Sequence, residues 1–118
     1  MSGLPGVKDY PRQWIVGEDI WTLKFVRKIE GNPVILGLCD PGDLTIYIKL
    51  KQSKFEMLMS TLHELFHCAE FSHNIDFRGK PIYTYRTFHN YIYKMEKAMG
   101  LLFVQNADNF LKLFGTMK

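Results

Sequence analysis

Two features common in secreted and membrane proteins are missing from this 118-residue sequence. It has only two cysteines, Cys39 and Cys68, which cannot build a disulfide framework. One bridge is possible, but residues 1–8 contain no apolar secretory leader, so we expect two reduced thiols. No apolar run approaches the roughly 18 residues that would cross a bilayer, so we expect no membrane partner. Together these absences predict a cytoplasmic protein.

A strong excess of one charge is also lacking. Fifteen basic and 12 acidic residues leave a formal net charge of +3, and the basic residues are scattered, with no run longer than two. A charge pattern of this kind does not predict a nucleic-acid partner. Repeats, low-complexity tracts and linkers are absent as well, so we expect one domain. No feature of the sequence indicates an oligomeric state.

What remains is the composition of a small globular domain. Apolar residues make up 47% of the chain and aromatic residues 14%, which is enough for one modest core. Residues 1–13 are rich in Gly and Pro and are predicted to form a flexible N-terminal arm. Residues 14–118 are predicted to form the single domain.

The first half of the domain has the apolar pattern of β-strands. Strands are expected at residues 14–16, 20–29, 34–38 and 44–50. The 34–38 segment is a continuous apolar run, so we expect it to be covered on both faces. The 44–50 segment alternates apolar and polar residues, and the Pro-Gly turn at 40–43 joins the two as a hairpin.

The second half has the pattern of helices. Ser53 and Glu56 form a predicted capping box for a helix that ends near Ser72. A second long helix is expected at 83–104 and a short one at 109–114. The prediction is therefore an α+β fold, with a small, mainly antiparallel sheet of three to four strands packed on two long helices and a short C-terminal helix.

Histidine is scarce too, with four in the chain, yet two of them lie one helical turn apart in a His-Glu-x-x-His motif at residues 63–67. Residues four apart share a helix face, so His63 and His67 can bind one Zn²⁺ together. Glu64 follows the first ligand and can act as general base towards a water activated by the metal. The predicted apolar stripe of this helix is Phe55, Leu58, Leu62, Leu65, Phe66 and Ala69, which places the two histidines on a polar stripe.

A catalytic zinc site normally has three protein ligands, so a third must come from elsewhere. His89, near the start of the second long helix, is the favoured candidate. The alternatives are Glu96, two turns further along the same helix, and His73, which follows His63 at the metzincin spacing. Tyrosines 83, 85, 91 and 93 cluster in the same region, and one of them could donate a hydrogen bond to an oxyanion.

Residues 20–104, which include this motif, resemble the zincin-like metallopeptidases of minimal size, such as ImmA/IrrE-type and SprT-like domains and short His-Glu-x-x-His proteins encoded by phages. The likeness lies in the hairpin strand with Leu-x-Ile-x-Ile at 44–48, the capped helix carrying TLHELFH at 61–67 and the following helix. The Gly-Leu-Cys-Asp stretch at 37–40 is similar to one in the phage proteins. A phage-encoded protein of this kind would act in the host cytoplasm.

The resemblance implies a zinc cofactor, His63 and His67 as metal ligands, and Glu64 as the catalytic base. It also implies that a hairpin strand borders the cleft, and we expect 44–50 to pair there with an extended protein or peptide substrate. The predicted function is therefore hydrolysis of a peptide bond. The alternative is a catalytically inactive zincin-fold module that binds a partner protein.

Overall fold

Four strands precede three α-helices in the computed structural model, which describes residues 3–29, 34–73 and 85–115, with only the backbone at 85–88. A short 3₁₀ helix at Val7–Asp9 comes first. The strands are β1 (Gln13–Val16), β2 (Asp19–Val26), β3 (Gly37–Asp40) and β4 (Thr45–Lys49), and the helices are α1 (Lys54–Ser72), α2 (Tyr85–Gln105) and α3 (Ala107–Phe114). The predicted α+β class is confirmed, with strands followed by two long helices and a short one. Among these described helices, none combines the length and hydropathy needed to cross a membrane.

The four strands form one mixed sheet in the order β1-β2-β4-β3. The β1–β2 and β3–β4 pairs are antiparallel, whereas β2 and β4 are parallel. The sheet is thus mainly but not purely antiparallel. The parallel pair arises because the chain leaves β2, enters the hairpin at its outer strand and returns through β4, which then runs beside β2 in the same direction.

One sheet face and the buried sides of the helices enclose a single core in the described residues. Period-2 alternation places Ile46 and Ile48 of β4 in this core, as predicted, and both side chains have no exposed surface. The largest fully buried side chains are Trp14, Trp21, Leu23, Ile46, Ile48, Leu65, Leu102 and Leu113.

The predicted strand at 34–38 is wrong in its position. Val34 is 80% exposed, and the strand runs from Gly37 to Asp40. The apolar run misled the prediction because β3 is hydrogen-bonded only to β4 among the described strands. An edge strand needs no cover on both faces, so its apolar content says little about where it begins.

The segment expected to be a flexible arm contributes to the core. Tyr10 is 2% exposed and Pro5 is fully buried. The Tyr10 ring contacts Phe25 edge-on, with the ring centroids 5.3 Å apart, and burial raises the pKa of its hydroxyl to about 12. Residues 3–12 therefore pack on the sheet as part of the folded domain.

The capping box at the start of α1 is confirmed. The Ser53 side chain accepts from the Glu56 backbone N–H, and the Glu56 carboxylate accepts from the Ser53 N–H, both at 3.1 Å. The buried face of the helix is Met57, Leu58, Thr61, Glu64, Leu65, Cys68 and Ala69. Phe55 and Phe66, predicted on the apolar stripe, are 50% and 37% exposed.

The buried face is rotated from the predicted stripe because two polar residues can be buried on it. The Thr61 hydroxyl donates to the Met57 carbonyl at 2.8 Å, which satisfies it inside the helix itself. Glu64 occupies the other position. Three of the six predicted stripe residues are buried and two are exposed, because apolar spacing cannot foresee which polar groups a fold buries.

The C-terminal end of α2 is fastened to the first hairpin by side-chain amides. Asn106, only 3% exposed, donates to the Ile15 carbonyl at 2.6 Å and accepts from its N–H at 2.8 Å. Gln105 binds the backbone of Gly17 in the same two-way manner, at 2.9 and 3.1 Å. This anchoring holds the end of α2 against β1 and the turn that follows it. α3 begins at Ala107, two residues before the predicted start at residue 109. The predicted start of α2 at residue 83 lies outside the described residues.

Candidate metal centre

The two motif histidines point their ring nitrogens at each other from the exposed side of α1. The Nε2 atoms of His63 and His67 are 3.1 Å apart, and the side chains are 66% and 52% exposed. Zn–N bonds of about 2.0–2.1 Å at a tetrahedral angle would hold two imidazole nitrogens roughly 3.3–3.4 Å apart. The pair therefore fits one zinc ion with little change, and solvent can reach it.

Glu70 orients the second histidine. Its carboxylate lies 2.9 Å from Nδ1 of His67, one turn further along α1. When Nδ1 donates its proton there, the Nε2 lone pair is directed at the partner ring. A carboxylate behind a metal-binding histidine fixes the ring tautomer and raises its basicity, which makes Glu70 a supporting residue for a metal.

The second long helix reaches this carboxylate through Tyr91. Its hydroxyl donates to the Glu70 carboxylate across 3.5 Å, and burial together with the Glu70 charge raises the pKa of Tyr91. Tyr91 was one of four candidate oxyanion donors in the sequence. The structure places its hydroxyl on Glu70, so α2 supports the histidine pair from behind.

The Glu64 side chain is buried next to the histidine pair and is not exposed to solvent as the two histidines are. The residue is 7% exposed, and its Oε2 atom is 4.0 Å from Nε2 of His63. Burial raises the pKa of the Glu64 carboxyl, and the nearby His63 and His67 oppose this rise. The carboxyl is thus close to the Nε2 atom of His63 and holds a proton more readily than an exposed glutamate.

The backbone of β3 covers Glu64, and a glycine makes room for it. A Cβ built on Gly37 would lie 2.9 Å from the Glu64 Cγ atom and 3.2 Å from the Ile48 Cδ1 atom. Only a residue without a side chain allows the strand to pass this close. The sequence showed that residues 37–40 are similar to a stretch in phage proteins, but no sequence pattern predicted the close approach of Gly37 to Glu64.

Gly37→Ala should destabilise the protein. The added methyl group must displace the Glu64 stem or the edge strand, so we expect the free energy of unfolding to fall by about 1–3 kcal/mol. Gly100→Ala is the matched control, because a Cβ there meets no described heavy atom within 4 Å. Removing a glycine from a helix interior should instead stabilise by about 1 kcal/mol. Urea unfolding of the two variants measures both changes, and equal effects would contradict the close approach.

Glu64→Gln should stabilise the zinc-free protein in a pH-dependent way. Because burial raises the pKa of the folded Glu64 carboxyl, its contribution to stability is complete below the pKa of the unfolded chain and is lost as the pH rises through the folded value. We expect Glu64→Gln to raise Tm by about 3 °C at pH 7, which corresponds to a gain of roughly 0.5–1 kcal/mol in the free energy of unfolding. At pH 4 we expect little change in Tm. Thermal melts from pH 4 to 8, with Glu18→Gln in an exposed turn as the control, test this. A rise in Tm at pH 4 as large as the rise at pH 7 would contradict the prediction.

The three candidates for a third ligand are not brought to the histidine pair. His73 is the C-cap of α1, with its N–H on the Ala69 carbonyl at 3.1 Å. His89 and Glu96 are both exposed and lie roughly 140–160° around α2 from Tyr91, the residue that faces α1. Within 3–29, 34–73 and 85–115, no group of three His, Cys, Asp or Glu residues could hold a metal ion. The third ligand remains a prediction.

The strand predicted to border the cleft is an interior strand. β4 lies between β2 and β3 and is hydrogen-bonded to both, so 44–50 has no free edge for a substrate. Of the two edge strands in the described sheet, β1 and β3, it is β3 whose Gly37 covers Glu64. The hairpin strand that approaches Glu64 at a sheet edge is β3, and the predicted strand at 44–50 is not at an edge.

Comparison with known proteins adds no relative to this description. No protein-family model matches the chain, and neither the curated proteins nor the solved structures include a match.

Proposed function

We propose that this protein is a zinc-dependent peptidase with a zincin-like site. The observation that carries the proposal is the convergence of three side chains from one helix. The Nε2 atoms of His63 and His67 are 3.1 Å apart, and a buried Glu64 carboxylate oxygen lies 4.0 Å from the first of them. Two surface histidines that share a helix face by chance would not require a buried acid next to them or a carboxylate hydrogen-bonded to one of the rings.

His63 and His67 would hold the metal through Nε2. Paired imidazoles favour a borderline ion such as zinc over magnesium or calcium. When bound, zinc supplies Lewis acidity that polarises a peptide carbonyl and lowers the pKa of water towards about 7. The third ligand is proposed to be His89, with Glu96 and His73 as the alternatives.

Glu64 supplies the proton transfers. Its carboxylate takes a proton from the attacking water and then donates that proton to the nitrogen of the leaving amine. Both transfers use the same oxygen atoms, so the residue must be a base in the first step and an acid in the second. The pKa rise caused by burial suits this double role at neutral pH, because an acid–base catalyst works best when its pKa lies near the working pH.

The proposed substrate-binding element is β3. An extended peptide can add to an exposed sheet edge through backbone hydrogen bonds, which requires no particular side chains. A peptide paired with Gly37–Asp40 would pass close to Glu64, since a Cβ at Gly37 would lie only 2.9 Å from the Glu64 Cγ atom. The proposed substrate is therefore an unfolded or extended segment of a protein.

Zinc content and chelator response test the proposal together. Purified protein should contain about one zinc ion per chain and hydrolyse casein, lose activity with 1,10-phenanthroline and regain it with added zinc. The circular dichroism spectrum should survive chelation, because a catalytic site is not closed by four protein ligands. Loss of fold on chelation would favour the zincin-fold interaction module, and zinc-loaded protein that cleaves no peptide would overturn the peptidase.

A further inference from the structure

We propose that Cys39 and Cys68 form a redox modification site, at which a hydroperoxide converts the two thiols into one intramolecular disulfide. The inference does not depend on the peptidase proposal, because it concerns two side chains that the hydrolytic chemistry does not use. It rests on their distance, their unequal burial and the elements that they would connect.

The two thiols are already in contact. Cys39 on β3 and Cys68 on α1 are free cysteines with their Sγ atoms 3.2 Å apart, although 29 residues separate them in the chain. A disulfide bond is about 2.05 Å long, so the two Sγ atoms need to approach each other by only about 1.2 Å. Rotation of the partly exposed Cys39 side chain can supply much of that movement.

The environments of the two sulfurs assign them different roles. Cys68 has no exposed surface, whereas Cys39 lies on the edge strand and is partly exposed. The hydrogen bond from the Cys68 thiol lowers the pKa of Cys39, against opposing effects of burial, Glu64 and Asp40. Thiolate character and access decide which cysteine an oxidant attacks. Cys39 is therefore the sulfur that meets the peroxide, and Cys68 is the sulfur that resolves it.

The reaction balances with hydrogen peroxide as the oxidant. The Cys39 thiolate attacks one peroxide oxygen, the O–O bond breaks, and the departing hydroxide takes a proton to become water. The Cys68 sulfur then attacks the sulfenic sulfur of Cys39, the S–O bond breaks, and this hydroxide leaves as water with the Cys68 thiol proton. Two thiols lose two electrons to one peroxide, giving one disulfide and two waters.

The bond would fasten the edge strand to the helix beside the candidate metal centre. Cys68 follows His67 directly and lies one turn after Glu64, while Cys39 is two residues after the glycine that covers Glu64. Oxidation would thus tie β3 to α1 at the point where the strand passes over the buried acid.

Intact-mass measurement on the full chain tests the proposal without any assay of hydrolysis. Reduced protein treated with a few equivalents of hydrogen peroxide should lose about 2 Da, remain monomeric and lose both free thiols. Tryptic digestion should then yield peptides 29–49 and 55–78 linked to each other, and dithiothreitol should separate them. A gain of oxygen atoms on Cys39 with no loss of 2 Da, or linkage between molecules, would overturn the inference.

Two matched variants test the assigned roles. Cys68→Ser should stop at a sulfenic acid on Cys39 that dimedone captures, whereas Cys39→Ser should be oxidised at least about ten-fold more slowly because its remaining thiol is buried. If Cys68→Ser does not fold, Cys68→Ala serves the same purpose. Oxidation of Cys68 in Cys39→Ser as fast as Cys39 reacts in wild type would contradict the roles.

Discussion

Glu64→Gln should leave zinc bound and lower kcat for peptide hydrolysis by about 10²–10⁴-fold, the range that a positioned acid–base group contributes. The amide keeps the size and burial of the side chain but cannot accept a proton from water. Because neither ligand is changed, zinc per chain should stay at the wild-type value. Hydrolysis of a quenched fluorescent peptide and metal analysis of the same sample measure the two quantities side by side.

Glu18→Gln is the matched control for this substitution. It makes the same chemical change at an exposed turn between β1 and β2, and kcat should not move. The fold of Glu64→Gln is expected to be at least as stable as wild type, so lost activity cannot be attributed to unfolding. Retention of more than about a tenth of wild-type kcat would show that Glu64 is not the base.

His63→Ala and His67→Ala should each weaken zinc binding by about 10²–10³-fold. Structural zinc sites contribute roughly 10–16 kcal/mol through four ligands, so one ligand accounts for about 2.5–4 kcal/mol. Glu70→Gln keeps both ligands and removes only the group behind His67, so its loss should be smaller, about 10–100-fold. Competition with a fluorescent zinc chelator gives the three affinities on one scale.

The same titration identifies the third ligand. One of His89→Ala, Glu96→Gln and His73→Ala should match the loss seen at the histidine pair, while Asn90→Ala at a neighbouring exposed position on α2 should have no effect. A series in which His63→Ala and His67→Ala bind zinc as tightly as wild type would remove the metal site altogether. If only His63→Ala and His67→Ala weaken zinc binding, the remaining zinc ligands would be water molecules.

The parts of the fold that could be predicted from sequence are those specified by neighbouring residues. Ser53 and Glu56 lie three apart, and the capping box that they form begins α1 as expected. Ile46 and Ile48 alternate with polar residues, and both are buried as expected. Local spacing also places His63 and His67 on one exposed face, because a helix fixes that relation without help from the rest of the chain.

The parts that were missed depend on which distant elements meet. The start of β3 and its place at the sheet edge follow from pairing with β4, which an apolar run cannot reveal. The contacts of Glu70 with Tyr91 and of Cys39 with Cys68 join residues 21 and 29 positions apart. His89 and Glu96 face away from α1 for the same reason, since the rotation of α2 is set by packing and not by its own sequence period.

The burial of Glu64 under a glycine carries an evolutionary consequence. A carboxylate held out of water is tolerated only while its chemistry is needed, because a neutral side chain of the same size would suit that position better. Under the proposed peptidase function, a lineage released from selection for hydrolysis should therefore acquire Gln or Met at position 64 early, while its helices and sheet persist. Descendants of this kind should be more stable than the present chain and should lack the proposed general base.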